Sequence, residues 1–334
     1  MISLSQGESK TKLCDVYIDG RRQGVWFHQR IDPKYRNVIE SVRPILEDHD
    51  FREKFDLSRK NIEDLIPAIE KEDIPEDTKL RKKYFRVKSA VDALSLSEMS
   101  LEGDDRFEVN LPAKKNEFSG SLQITSPSGG GKTYWVVQLL LRNWALSKNQ
   151  RRHVVYISNE ATVDKSLKAL KKARYEKLIT IVDVSDSAID AFVEGGKPKD
   201  KFFLENVKPD ITRMPNDSIL VLDDHLDSEG FRELHAVLNK MLRVGRHEGK
   251  STITINHLIN SGYFARQLAS SVRWRVMFPR SSKMKITRWI HERTDLPMSA
   301  ARAVVQKIAV NSRWLAVHMH SPVALVSAQF IKLI

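Results

Sequence analysis

The sequence predicts an α/β fold: a mainly parallel sheet flanked by helices, with a smaller N-terminal α+β region ahead of it. Three observations carry that expectation. From Arg106 onward, short apolar runs rich in β-branched residues alternate with helix-compatible segments, the pattern of parallel strands joined by crossover helices. One strand-to-helix junction holds a glycine-rich loop that ends in Lys132-Thr133. Another apolar run ends in two adjacent acids, Asp223-Asp224. Residues 1–105 therefore read as an accessory region and residues 106–334 as the main domain.

In the accessory region, Asp15 to Gly20 followed by Gly24-Val25-Trp26-Phe27 predicts a hairpin around an Asp-Gly turn. Residues 34–100 are charged. Ile62, Leu65, Ile66 and Ile69 recur there at helical spacing, and Pro44, Pro67 and Pro75 punctuate the stretch. No catalytic constellation is visible in it.

The main domain opens with Phe107 to Leu111 as its first expected strand. Leu122-Gln123-Ile124 is the next, and it runs into Ser126-Pro127-Ser128-Gly129-Gly130-Gly131-Lys132-Thr133. Tyr134 to Leu140 continues as a helix. This strand–loop–helix setting is what a phosphate-binding loop requires. Ser128, Gly129, Gly130 and Gly131 turn backbone N–H groups inward around phosphate oxygens, and the helix adds its positive end. Lys132 reaches the β- and γ-phosphates and Thr133 holds Mg²⁺, so ATP and Mg²⁺ are the expected cofactors. The pattern G-x-x-x-x-G-K-[ST] asks for glycine where this chain has Ser126.

Val154 to Ser158 is a strand, Lys165 to Lys177 a basic helix, and Leu178 to Val182 a strand. A polar segment with Gly195-Gly196 leads to Ser218 to Asp224, whose four consecutive apolar residues predict a strand buried on both faces. Its acids emerge at the carboxyl end, the edge at which open α/β sheets bind ligands. Asp223 is assigned to Mg²⁺ and Asp224 to orienting or deprotonating the attacking water. A helix from Phe231 to Arg243 and strands at Thr252 to Ile255 and Val272 to Phe278 complete the pattern. The whole reads as a P-loop NTPase of the ASCE type.

Composition narrows the setting. The net charge of +12 is uneven: residues 1–118 carry 22 basic and 24 acidic side chains, residues 119–334 carry 33 and 19. A basic nucleotide-binding domain suggests a polyanion partner, DNA or RNA. Cys14 is the only cysteine, which excludes an internal disulfide or a cysteine-based zinc site and fits a reducing compartment. No apolar run of about 18 residues occurs, so no membrane span is expected. The segment MISLSQGESKTK lacks the apolar core of a secretory signal.

The stretch from Gly245-Arg246-His247 through Thr252 to Ile255, Asn256-His257, Arg266, Val272 to Phe278 and Pro279-Arg280 adds a more specific signal. Together with SPSGGGKT and ILVLDD, it resembles the FtsK/HerA class of ATPases. Within that class it resembles the genome-packaging ATPases of double-stranded DNA viruses with double-jelly-roll capsids. The resemblance covers about residues 119–334, including Ser312-Arg313-Trp314-Leu315. It implies a motor that hydrolyses ATP to translocate double-stranded DNA into a capsid. It also implies a homo-oligomeric ring, with a hexamer favoured, a capsid or portal-vertex partner for the accessory region, and a place in the virion or at the site of virus assembly. Asn256 then takes the polar sensor position, with His257 one residue away as the other register. Arg266 takes the arginine finger acting in the neighbouring subunit, with Arg273, Arg275 and Arg280 as rivals. Arg246 and His247 contact nucleic acid or a neighbouring subunit, or complement a helix C-terminus. The Lys165 to Lys177 segment is a candidate DNA face.

Other functions remain compatible with parts of this pattern. One is a HerA-like cellular DNA translocase. Another is a non-motor P-loop nucleotide-binding protein, although the Asn-Lys-x-Asp base reader of GTPases is missing. A binding module with a dead nucleotide site would not need Lys132, Thr133, Asp223 and Asp224 together. No nuclease carboxylate triad is visible.

Overall fold

The computed structural model describes residues 2–4, 11–27, 42–47, 49–70, 73–97, 100–102, 107–114, 120–147, 150–159, 161, 164–223, 240–241, 245–257, 272–294, 296–320 and 323–334. The first strands are β1 (Ile2–Ser3), β2 (Thr11–Ile18) and β3 (Arg21–Phe27). β2 and β3 form the expected hairpin. Asp19 and Gly20 both take positive φ, 48° and 76°, as a two-residue turn of the type that matches strand twist requires. Asp15 is buried in this sheet and paired with Lys12 at 2.7 Å and Arg22 at 3.0 Å.

Four helices follow among the described residues: α1 (Arg43–Glu47), α2 (His49–Phe55), α3 (Arg59–Glu70) and α4 (Thr78–Ser97). The helical spacing read at Ile62, Leu65, Ile66 and Ile69 is the buried face of α3. It closes a separate small core with Leu46, Leu57, Tyr84 and Val87.

Next come β4 (Ser100–Glu102), β5 (Phe107–Asn110), β6 (Ser121–Thr125), α5 (Lys132–Leu146), β7 (Val154–Ser158) and β8 (Ile179–Asp183). α6 (Asp186–Glu194), α7 (Phe202–Asn206) and α8 (Lys208–Thr212) lead to β9 (Ile219–Asp223). Beyond it lie β10 (Ser251–Asn256), β11 (Trp274–Met277), α9 (Pro279–Arg293) and α10 (Met298–Asn311). β12 (Leu315–His318), β13 (Ala324–Ser327) and β14 (Phe330–Leu333) close the chain.

The strands form two sheets among the described residues. The small one has the order β1-β3-β2-β5, and the ten-stranded one β4-β14-β13-β12-β11-β6-β10-β9-β7-β8. β11, β6, β10, β9, β7 and β8 run parallel, whereas β12, β13, β14 and β4 add an antiparallel wing. The expected strand at Phe107 to Leu111 exists, but it pairs with β2 in the small sheet rather than with the parallel one. β4, which precedes it, joins the far edge of the large sheet. Leu13, Val16, Val25 and Val109 of the small sheet share one apolar core with Leu122, Ile124, Val136, Leu140 and Ile253. The opposite face of the large sheet is covered in two places. Val155, Ile157, Leu220 and Leu222 pack under Phe202 and Phe203. Met277, Leu315 and Val317 pack under Trp289 and Ile308.

One expected helix is different. Lys165 to Lys177 is not a single α-helix but two 3₁₀ turns, Lys165–Ala169 and Ala173–Leu178. In a 3₁₀ turn residues i and i+3 eclipse, so Leu167 and Leu170 both point into the core over α5. Tyr175 stacks at 4.7 Å on Trp144. The basic residues Lys165, Lys168, Lys171, Lys172 and Arg174 are all exposed. The expected helix from Phe231 to Arg243 lies, apart from residues 240–241, outside the described residues, as do Asp224 and Arg266.

Candidate functional site

The loop between β6 and α5 has the shape its glycines predict. Gly129 and Gly131 take φ of 74° and 88°, values that cost other residues about 1–2 kcal/mol. Gly130 answers a different need: a Cβ there would stand 1.9 Å from Ser126 Oγ. Ser126 itself has no positive φ, so the position does not need glycine. It is buried, and its N–H donates to Asn256 O at 3.2 Å, tying the loop to the end of β10. Gly130 N–H donates to Pro127 O at 3.2 Å and closes the turn. Gly131 is the N-cap of α5, whose first turn carries no acid, so the helix dipole faces the loop unopposed. The helix is anchored below by buried Val136, Val137, Leu140 and Trp144.

Lys132 is buried, and its Nζ donates to Ser126 O at 3.0 Å. The same nitrogen lies 3.1 Å from His257 Nδ1. The ammonium therefore rests on loop carbonyls and on the end of β10, within the cradle it would serve.

β10 sits between β6 and β9, with Asn256 opposite Thr125 and Ile255 opposite Asp223. This places the end of β10 between the loop and the acid strand. Asp223 is buried at the carboxyl end of β9. Its Oδ2 accepts from Thr133 Oγ1 at 3.2 Å and from Tyr156 Oη at 2.6 Å. A hydroxyl and a carboxylate converging at a phosphate loop are hard oxygen donors, the set that suits Mg²⁺. Thr133 and Asp223 fit that ion. The described residues contain no cluster of three or more His, Cys, Asp or Glu that could hold a metal by themselves.

The structure thus brings together Ser128 to Gly131 as the cradle, and Lys132, Thr133, Asp223 and His257 around it. Of the neighbouring pair at the end of β10, His257 is the one that contacts Lys132. Asn256 is buried on the other face of the strand, with Thr254, and its amide makes no hydrogen bond. Tyr156 was not singled out from sequence, because Val-Val-Tyr-Ile-Ser reads as core; nothing local shows that its hydroxyl meets an acid 67 positions on.

The described rivals to Arg266 each have partners in their own chain. Arg273 Nε donates to His318 Nε2 at 3.2 Å, at the end of the sheet away from the loop. Arg275 is buried with its guanidinium 4.6 Å from the Trp289 ring centroid; burial above all, then Arg293, pulls its pKa down to about 9. Arg280 donates to Ala309 O and Val310 O, both at 3.1 Å, near the end of α10. Gly245, Arg246 and His247 open a 3₁₀ turn, Gly245–Glu248, and His247 is exposed.

No family model matches the chain, and no curated protein matches it. Among solved structures it is similar to the cytoplasmic domain of the type VII secretion ATPase EccC of Thermomonospora curvata. That match has a TM-score of 0.40 and 12% identity, over 70% of this chain and 28% of that one. The chain thus spans well under a third of that domain's length. It is also similar to the genome packaging NTPase B204 of Sulfolobus turreted icosahedral virus 2, solved with ATP-gammaS. There the TM-score is 0.33 and the identity 12%, over 64% of this chain and 96% of that one. A KaiC-like protein of Pyrococcus horikoshii OT3 matches with a TM-score of 0.31 and 18% identity, over 48% and 70% of the two chains. At these scores the likeness carries no argument about activity. The α/β P-loop NTPase fold rests on the chain's own strand order, loop and acid strand, and the resemblance to the FtsK/HerA class rests on its motifs.

Proposed function

We propose that the chain is an ATP-hydrolysing motor that translocates double-stranded DNA into a viral capsid. The observation that carries the hydrolytic part is the convergence of Lys132, Thr133 and Asp223 on one glycine cradle at the carboxyl edge of a parallel sheet. On this reading Lys132 leaves Ser126 O for the β- and γ-phosphate oxygens. Thr133 and Asp223 would hold Mg²⁺, which would supply positive charge to offset that of the phosphates. Tyr156 keeps the Asp223 carboxylate in place through its 2.6 Å hydrogen bond. Asp224, the next residue after β9, orients or deprotonates the attacking water. Asn256, or His257 beside it, senses the γ-phosphate, and Arg266 acts on a neighbouring subunit's site.

The DNA part is supported by the excess of basic over acidic side chains in residues 119–334, 33 against 19. Packaging into a capsid is supported by the motif resemblance. The same resemblance supports a homo-oligomeric ring, hexameric by preference, and a portal-vertex or capsid contact for residues 1–105, with the motor in residues 106–334. Such a protein would work in the virion or at the assembly site. No described helix is long and apolar enough to cross a membrane.

The test is nucleotide turnover by the purified chain. Wild type should hydrolyse ATP. Lys132→Ala should lose turnover by about a hundredfold or more, and Asp224→Asn should bind ATP without turning it over. Full turnover in Lys132→Ala would remove the site from the reaction.

A further inference from the structure

A cleft of about 280 Å³ opens beside Gly130 and Gly131. Its aromatic wall is formed by Tyr134 and Trp135 from the first turn of α5 and by Trp314 from the segment before β12. Trp135 and Trp314 meet edge to face, with ring centroids 5.9 Å apart. Tyr134, directly after Thr133, is 60% exposed, a large ring at the lip of the cradle with no core to fill. The facing wall comes from β5, so the small N-terminal sheet borders the phosphate loop.

That facing wall is polar and braced. Asn110 Nδ2 donates to Glu108 Oε1 at 2.9 Å. Asn110 Oδ1 in turn accepts from Arg142 of α5, which also donates to Leu111 O. Arg142, Asn110 and Glu108 thus form a chain of hydrogen bonds from the phosphate-loop helix to a carboxylate at the rim. An ionised carboxylate has about four lone-pair sites, of which Asn110 uses one.

A triphosphate seated in the cradle with its γ-end at Lys132 would extend its nucleoside end away from that lysine, and the cleft adjoins the cradle at Gly130, Gly131 and Tyr134. We propose that the cleft is the base subsite of the nucleotide site: a purine ring stacks on Tyr134, Trp135 and Trp314, and its exocyclic 6-amino group donates to Glu108. Adenine carries that donor. Guanine presents a carbonyl at the same position and meets the carboxylate as a second acceptor. The small sheet, through β5, thereby selects the fuel of the loop it borders. This inference rests on the reading of the loop as a nucleoside triphosphate site.

Intrinsic tryptophan fluorescence of the full chain, titrated with ATP, GTP and inorganic tripolyphosphate in the presence of Mg²⁺, tests it. ATP should change the emission and bind at least about tenfold more tightly than either GTP or tripolyphosphate. Tyr134→Ala, at an exposed position, and Trp314→Ala should each weaken ATP several-fold and leave tripolyphosphate unchanged. Glu108→Gln should narrow the gap between ATP and GTP. Tripolyphosphate binding as tightly as ATP in wild type would overturn the base subsite and leave the phosphate cradle standing. Absence of binding by all three would overturn the nucleotide reading and this inference with it.

Discussion

The Ser126–Gly130 contact shows how a single residue can both depart from a motif and explain it. A glycine at 126 would have been needed only for a left-handed backbone, and the backbone there is not left-handed. Instead Ser126 Oγ occupies the space a side chain at 130 would need. Gly130→Ala should therefore weaken ATP binding by about tenfold, roughly 1.4 kcal/mol. Ser126→Gly in the same chain should restore part of it, a coupling measurable as a double-mutant cycle in a binding titration. Pro127 O, 3.1 Å from the same added Cβ, limits the rescue. Tyr156→Phe removes a hydrogen bond to a buried carboxylate, so turnover should fall while ATP binding stays within a few-fold; unchanged turnover would make that hydroxyl a packing detail. The cradle, Lys132, Thr133 and Asp223 were legible because a phosphate loop and an acid strand are local patterns. The Asn256 and His257 alternative was not: in a strand a slip of one residue exchanges the two faces, and only the paired register decides which side chain faces the loop.

At the scale of elements, the antiparallel wing of β12, β13, β14 and β4 was not read from the sequence, whereas β5 and the six parallel strands could be placed from their apolar runs, within a residue or two at each end. Membership of a sheet could not. Phe107 to Asn110 reads like any other strand, but its partner is β2, about ninety positions earlier in the chain, and no local pattern encodes that distance. The Lys165 to Lys177 segment failed for another reason. Its charges suggested an exposed helix, but Leu167, Leu170 and Tyr175 must all reach the α5 surface, and two 3₁₀ turns satisfy that. Arg152 shows a further tie between elements. Its guanidinium is buried, donates to Asp217 O, Ser218 O, Gly249 O and Ser251 Oγ, and so clamps the starts of β9 and β10. Burial first, opposed by Asp217, pulls its pKa down to about 10. Because those carbonyls would lose their donor, Arg152→Met should cost about 3 kcal/mol in chemical denaturation. A loss under about 0.5 kcal/mol would show that the clamp is redundant.

For the whole molecule, the stretch that holds the proposed nucleotide site, residues 119–334, also carries the excess of basic side chains, 33 against 19. Contacts to a DNA backbone release counterions, so binding should be indifferent to sequence and should fall steeply with salt. If the chain works as a ring in which Arg266 acts on the next subunit, Arg266→Ala chains mixed with Lys132→Ala chains should recover part of the turnover that neither has alone. The measurement that bears most directly on the central claim is ATP hydrolysis by the purified chain with and without long double-stranded DNA, at low and moderate salt. Stimulation by DNA of any sequence, lost as salt rises and absent in Lys132→Ala, is the predicted result. Hydrolysis that DNA leaves unchanged at every salt concentration would contradict a motor driven along duplex DNA.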